Sequence, residues 1–220
     1  ASFINVRNFS DMQSILEVPV TNKMTGMFNV IEPPRETATL SAIKDTYVRS
    51  DAPALNYGRE RTMIAGTSAD GQNTYWSLVQ FEDVRETISQ NLIIESAKVK
   101  LYFDESVDDL PQLTLDTIDG YWGETDVTWY KRPLVGDYHL DEYEINTTER
   151  YVEFDVTDIM IEIHNSSKRI DGFYIRRDET DIRRLASFGT RERDRRNPEL
   201  NVVYYNPNPH SDGRAEIHGL

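Results

Sequence analysis

Between residues 96 and 103 the chain reads SAKVKLYF, and its apolar positions fall on every second residue. Val99, Leu101 and Phe103 share one face of an extended chain and Lys98 and Lys100 the other, because successive side chains of a strand point to opposite sides. The same period of two recurs along the chain. Residues 112–118 set Leu113, Leu115 and Thr117 against Thr114, Asp116 and Ile118, and Val152, Phe154 and Val156 share a face. Residues 172–177 turn Phe173 and Ile175 inward and Tyr174 and Arg176 outward, and residues 200–205 form a last strand behind Pro198. Residues 45–67 begin as an alternating strand, break at Ala52-Pro53, turn at Asn56-Tyr57-Gly58 and resume at Met63-Ile64-Ala65. Short strands between turn signals, each with one polar face, predict antiparallel sheets packed on one side and solvated on the other.

One segment departs from this rhythm. In Thr157–Asn165 (TDIMIEIHN), Val156, Ile159, Met160 and Ile163 stand at i, i+3, i+4 and i+7, with Asn165 as a stop, which predicts a short amphipathic helix. The fold expected is all-β: an antiparallel β-sandwich of jelly-roll type with one short helix.

The pattern divides the chain into three parts. Residues 1–36 hold two short alternating runs, 15–18 and 27–31, around a turn at 22–26, and Pro33-Pro34 stiffens the exit. Two such strands need a partner surface, so this part reads as a docking hairpin or arm. Its apolar side chains Phe3, Ile4, Phe9, Ile15, Val18, Met27 and Phe28 are the candidates for assembly contacts. Residues 37–206 form the sandwich. Residues 207–220 (PNPHSDGRAEIHGL) lack periodicity and read as a tail.

Composition narrows the function. The 220 residues carry a formal net charge of −14, which disfavours a nucleic-acid partner. The absence of cysteine excludes disulfides and thiolate metal sites. No run of 18 apolar residues predicts a membrane-spanning helix. The opening, ASFINVRNFSD, lacks the basic-then-apolar order of a signal peptide, and Ala1 suits removal of an initiator methionine. Charge is uneven: residues 104–126 are strongly acidic and residues 176–196 rich in arginine.

Candidate chemistry is that of binding. An exposed indole face matches the C–H face of a sugar ring. Trp76, after the polar loop 68–74, and Trp122 and Tyr130 in YWGETDVTWYKRP (121–133) are candidates for such stacking. For Trp122 a core position is the competing reading. Trp129, in what reads as an alternating strand, is expected in the core. Arg191 and Arg193, in the cluster that also holds Arg183, Arg184, Arg195 and Arg196, could grip an acidic polysaccharide by bidentate pairing, or pair with acidic segments of the chain itself. No cofactor is expected beyond a structural calcium, for which Asp104, Asp108 and Asp109 offer oxygen ligands at a spacing that matches no EF-hand. The four histidines are scattered, and neither HExxH nor GxSxG occurs, so no enzyme is predicted. His164 reads as a favourable charge at a helix end.

Seven segments taken in order resemble the DNRLRE family, related to disaggregatase repeats and to carbohydrate-binding modules of secreted proteins and phage particles. They are DTYVRSDAPALNYGRERTMIAG (45–66), SLVQFE (77–82), ESAKVKLYF (95–103), VTWYKRP (127–133), YVEFDVTDIMIEI (151–163), DGFYIRRDE (171–179) and ASFGTRERDRRNPELNVVYY (186–205). The resemblance implies a jelly-roll sandwich in which the Asn-Tyr-Gly stretch joins the first strand to the next around one end, and rim positions for Arg191 and Glu192. Trp76 stands where family members often carry Arg, and DIRRLASFGTRE (181–192) is the nearest text to the family's name motif. The leader text NKMTGMFNVIEPP (22–34) is similar to segments of phage-particle members. The function expected is therefore a structural protein of a bacteriophage particle: a head-decoration, collar or tail accessory protein. It would be docked through residues 1–36 to other virion proteins and to copies of itself, and would project a sandwich towards host surface polysaccharide. The alternative is a carbohydrate-binding module of a bacterial cell-surface or secreted protein. A polysaccharide-active enzyme is the third reading.

Overall fold

The computed structural model describes residues 32–104, 112–177 and 184–208. Two antiparallel sheets share one long strand, β1 (Arg35–Arg49). Its first half pairs with β11 (Glu199–Tyr205), beyond which lie β4 (Ile93–Tyr102), β8 (Tyr151–Asp155) and β7 (Glu144–Asn146). Its second half pairs with β3 (Thr74–Phe81), followed by β9 (Phe173–Arg177), β5 (Leu113–Asp119) and β6 (Leu134–Leu140). β2 (Thr62–Thr67) joins the start of β3 and carries β10 (Leu185–Gly189) on its free side. β1 changes sheets at a register shift between Ala42 and Lys44, where Ile43 turns to solvent. A bulge is the ordinary device by which a strand bends from one sheet into another. The chain passes between the sheets at β3–β4, β4–β5, β6–β7, β8–β9 and β10–β11, the alternation of a jelly roll.

The expected inward faces meet. Leu40, Val99, Leu101, Phe154, Leu200 and Val202 of the first sheet pack against Val79, Phe81, Leu113, Leu115, Phe173 and Ile175 of the second. The predicted helix forms as α2 (Thr157–Asn165) and carries the chain from β8 to β9. It brings Ile159, Met160 and Ile163 into this core beside Val84 of the short α1 (Val84–Thr87) and Ile88 just after it. His164 stands in the last turn of α2. It is buried, and its Nε2 lies 3.2 Å from Ile88 O and 3.3 Å from Ser89 O. Facing two carbonyls, that nitrogen donates, so the imidazole ties α2 to the chain after α1.

The outer face of the second sheet is not the solvated surface that period-two alternation predicts. β5 is buried on both faces from Leu113 to Ile118. A second apolar cluster of Val48, Leu78, Ile118 and Tyr174 lies beneath Trp122 and Val127, with Trp76 and Trp129 packed against it. The lid is residues 120–133, which form an irregular loop where a strand through Thr128-Trp129 is expected. Tyr174 does point outward but is fully covered, and its hydroxyl donates to Pro133 O at 2.9 Å. Burial pushes its phenol well above the usual tyrosine range.

Among the described residues no helix is long and apolar enough to cross a membrane. The assembly candidates Phe3, Ile4, Phe9, Ile15, Val18, Met27 and Phe28, the tail from residue 209, and Asp108, Asp109 and Arg183 lie outside the described residues.

Candidate functional site

A 14-residue loop outside either sheet has only short turn bonds of its own, such as Val127 N to Gly123 O at 2.9 Å and Lys131 N to Thr128 O at 3.1 Å, and leans on side chains for the rest. Asn56 does most of this for residues 120–133. Its Nδ2 donates to Glu124 O and to Val127 O, both at 2.8 Å, while its Oδ1 accepts from Gly58 N at 3.1 Å. Gly58 lets the two segments touch: a Cβ there would sit 2.0 Å from Glu124 O. Trp122 Nε1 donates to Asp171 O at 2.7 Å, and Lys44 Nζ donates to Trp122 O at 3.1 Å. The Asn-Tyr-Gly stretch is thus a clamp on the loop. Trp122, expected as a stacking candidate, is only 2% exposed and belongs to the second core, because its ring is the lid over Leu78 and Tyr174.

The clamped loop presents an aromatic and cationic surface at its edge. Trp76 on β3 and Trp129 on the loop are each half-buried, with ring centroids 5.2 Å apart and planes at 56°. The Arg132 guanidinium lies 4.8 Å from the Trp76 centroid and 4.2 Å from that of Trp129, and also donates to Trp129 O. Arg176 stands 4.8 Å over Trp76 from the neighbouring strand β9. It is held there by Asp116 on β5, a 2%-exposed carboxylate that accepts Arg176 Nε at 2.8 Å and lies 2.7 Å from His139 Nδ1 on β6. Next to Trp129, Tyr130 is 76% exposed, its backbone N–H fixed to Pro53 O at 3.2 Å. Half-covered indoles with guanidiniums against their faces offer a sugar a ring to stack on and charged donors for its oxygens.

Of the predicted binding residues, Trp76 and Tyr130 fall at this surface and Trp122 beneath it. Arg191 and Arg193 lie elsewhere and are engaged by acids of the same chain. Arg191 holds Glu124, with Nε to Oε1 at 2.8 Å and Nη2 to Oε2 at 2.6 Å. Arg193 reaches Asp104 at 2.6 Å, Arg61 O at 2.6 Å and Thr62 Oγ1 at 3.0 Å. These contacts also correct the calcium expectation for Asp104, whose Oδ2 takes Thr62 Oγ1 as well at 2.9 Å. The Arg193 guanidinium beside it, bonded directly, holds the Asp104 carboxyl below the usual carboxylate range. Arg61, Arg193, Asp194, Arg195 and Arg196 line a shallow basic cleft of about 630 Å³ that has no aromatic wall.

Sequence reasoning does not bring Trp129, Arg132, Arg176 and the Asp116–His139 pair to this surface. Arg176 was legible as an outward position, and Trp76 as its neighbour one strand away. Arg132 and Trp129 were not, because only the path of an irregular loop brings them over Trp76.

A family model for carbohydrate-binding module family 96 matches residues 36–204, from the start of β1 almost to the end of β11. A search of curated proteins gives no match. The matched stretch contains the clamp, the aromatic surface and both cores. It favours the carbohydrate-binding alternative read from the sequence over the phage-particle reading, on which no finding bears. The chain belongs to carbohydrate-binding module family 96.

Proposed function

We propose that the protein is a non-catalytic module that binds polysaccharide through the surface formed by Trp76, Trp129, Tyr130, Arg132 and Arg176. The observation that carries this reading is the pair of half-buried indoles bracketed by two guanidiniums, Trp76 and Arg176 on the second sheet and Trp129 and Arg132 on the loop clamped at Asn56. A rigid platform orders few side chains on binding, so more of the stacking energy appears as affinity. The adjacent guanidiniums favour a chain bearing carboxylate or sulfate groups over a neutral one, and weaken binding as salt rises. Such a partner fits an extracellular or cell-surface setting.

The test is affinity electrophoresis and calorimetry against paired acidic and neutral polysaccharides. Losing one stacking ring or one cation–π partner removes about 1–2 kcal/mol, so Trp129→Ala and Arg132→Ala should each weaken binding roughly tenfold. If Arg195→Ala and Arg196→Ala weaken it while Trp129→Ala does not, the binding surface is the basic cleft. If no polysaccharide binds, the reading fails.

A further inference from the structure

Three carboxylates from distant parts of the chain converge at one end of the sandwich. Asp45 comes from β1, Glu124 from the clamped loop and Glu192 from the turn between β10 and β11. Each offers an oxygen, and these oxygens all lie within 4.8 Å of one another.

Like charges gathered this closely need compensation, and what the chain supplies is incomplete. Glu124 is satisfied: Asp45 N donates to Oε1 at 2.9 Å, and Arg191 holds both oxygens. Asp45 is 1% exposed, and its Oδ2 accepts Arg191 N at 2.7 Å. Its Oδ1 is buried and takes no hydrogen bond, and the same holds for Glu192 Oε2. A buried carboxylate oxygen without a donor is costly, and two of them beside a third acid are costlier. Among the described residues the cation paired with these acids is the Arg191 guanidinium, 2.6 Å from Glu124 Oε2 and 3.5 Å from Glu192 Oε1, which leaves the group a formal charge of −2.

We propose that Asp45, Glu124 and Glu192 bind one calcium ion, which joins β1, the 120–133 loop and the β10–β11 turn. Oxygens within 4.8 Å of one another can all reach a single ion at the 2.3–2.6 Å of a Ca–O bond. The donor set is oxygen alone, which selects a hard cation and disfavours zinc or copper. Three carboxylates from three segments make a dedicated protein cage of the kind calcium accepts, whereas magnesium keeps most of its waters and is seldom held this way. A divalent ion also matches the residual charge of −2. The cage is positioned by the most distinctive text of the chain. Asp45 opens it, Asn56 and Gly58 fix the backbone of Glu124, and Thr190 donates to Glu60 O at 2.8 Å to seat the turn that carries Glu192.

The experiment uses the full chain, stripped with EDTA and returned to metal-free buffer. Titration with calcium chloride should show one site per chain, and the melting temperature should rise with calcium and fall back with EDTA. Glu192→Gln, a change of shape-preserving kind at a side chain 26% exposed, should keep the fold and weaken calcium binding at least tenfold; Asp45→Asn should do the same or more. Asp104→Asn should leave the affinity unchanged. A melting temperature indifferent to both calcium and EDTA overturns the proposal. So does calcium binding that Glu192→Gln leaves at wild-type strength, and so does an equal response to magnesium at the same concentration.

Discussion

Replacing Asn56 with alanine tests whether the Asn-Tyr-Gly stretch is the clamp its contacts describe. The side chain makes three hydrogen bonds: two donated at 2.8 Å, to Glu124 O and Val127 O, and one accepted from Gly58 N at 3.1 Å. Each contributes about 1 kcal/mol net, and a carbonyl left buried without a donor costs about 1–3 kcal/mol. Val127 is buried, so water replaces the lost donors poorly. The loss should be about 3 kcal/mol, and at roughly 2–4 °C per kcal/mol for a domain of this size the melting temperature should fall by about 6–12 °C. Far-UV circular dichroism in EDTA reads this, and hydrogen exchange should place the new mobility at residues 120–133. Asn56→Asp separates the two halves of the clamp. Aspartate keeps the acceptor for Gly58 N but donates nothing, and its charge faces two carbonyls, so it should be at least as unstable as alanine. An aspartate variant as stable as wild type, or an alanine variant within about 2 °C of it, would refute the reasoning.

Other outcomes follow from single contacts. Gly172→Ala should be more damaging than Asn56→Ala in the same melting assay, because Gly172 has φ +120° and a Cβ would lie 2.3 Å from Val79 O of the adjoining strand. Trp122→Phe should cost about 1–3 kcal/mol through the Asp171 carbonyl it leaves without a donor, while at room temperature polysaccharide binding stays at wild-type strength. Arg193→Ala should raise the titration midpoint of Asp104, followed by carboxyl NMR, towards the ordinary aspartate value of about 4. The sign follows from the depressed pKa in the folded protein. The pair contributes stability above the ordinary carboxylate pKa and loses it as pH falls through the depressed one, so melting curves of variant and wild type should converge in acid. The pair is partly exposed, so the gap at neutral pH should be small and shrink with salt.

The sandwich was legible because its inner faces are. Val99, Leu101 and Phe154 sit where alternation puts them, and the helical spacing from Val156 to Ile163 gives a helix at Thr157–Asn165. Alternation assigns a side chain to a face but not what covers that face. Tyr174 was read correctly as outward and Trp122 remained open between surface and core; both are buried because an irregular loop folds back over the second sheet. Such a loop carries no period, and its path is set by Asn56, 68 residues away from Glu124 in sequence. β6, with an exposed Leu134 and alternating partial burial, is an edge strand whose apolar pattern is weak for the same reason that it is solvated. The acids failed differently. Asp104, Asp108 and Asp109 attracted attention by sequence proximity, whereas Asp45, Glu124 and Glu192 are far apart in the chain and meet only through β1, the loop and the last turn.

Two kinds of residue thus build this end of the molecule, and they tolerate change differently. Gly58, Asn56 and Asp45 each answer to a backbone atom: a carbonyl 2.0 Å from where a Cβ would be, two carbonyls needing a donor, an N–H needing an acceptor. A backbone group cannot be exchanged for another, so a Cβ at Gly58, loss of the Asn56 amide or loss of the Asp45 acceptor disturbs the segment it meets. Tyr130, 76% exposed, answers to no such group through its side chain among the contacts described, whereas Trp129 packs against the second core and Arg132 donates to Trp129 O. Surface substitutions without buried partners usually shift stability by less than about 0.5 kcal/mol. On the proposed binding surface, Tyr130 is therefore the position where ligand preference should change while the clamp beneath stays fixed. Tyr130→Ala should alter the ranking of polysaccharides without moving the melting temperature, and a parallel loss of stability would show that the recognition surface and the scaffold are not separable.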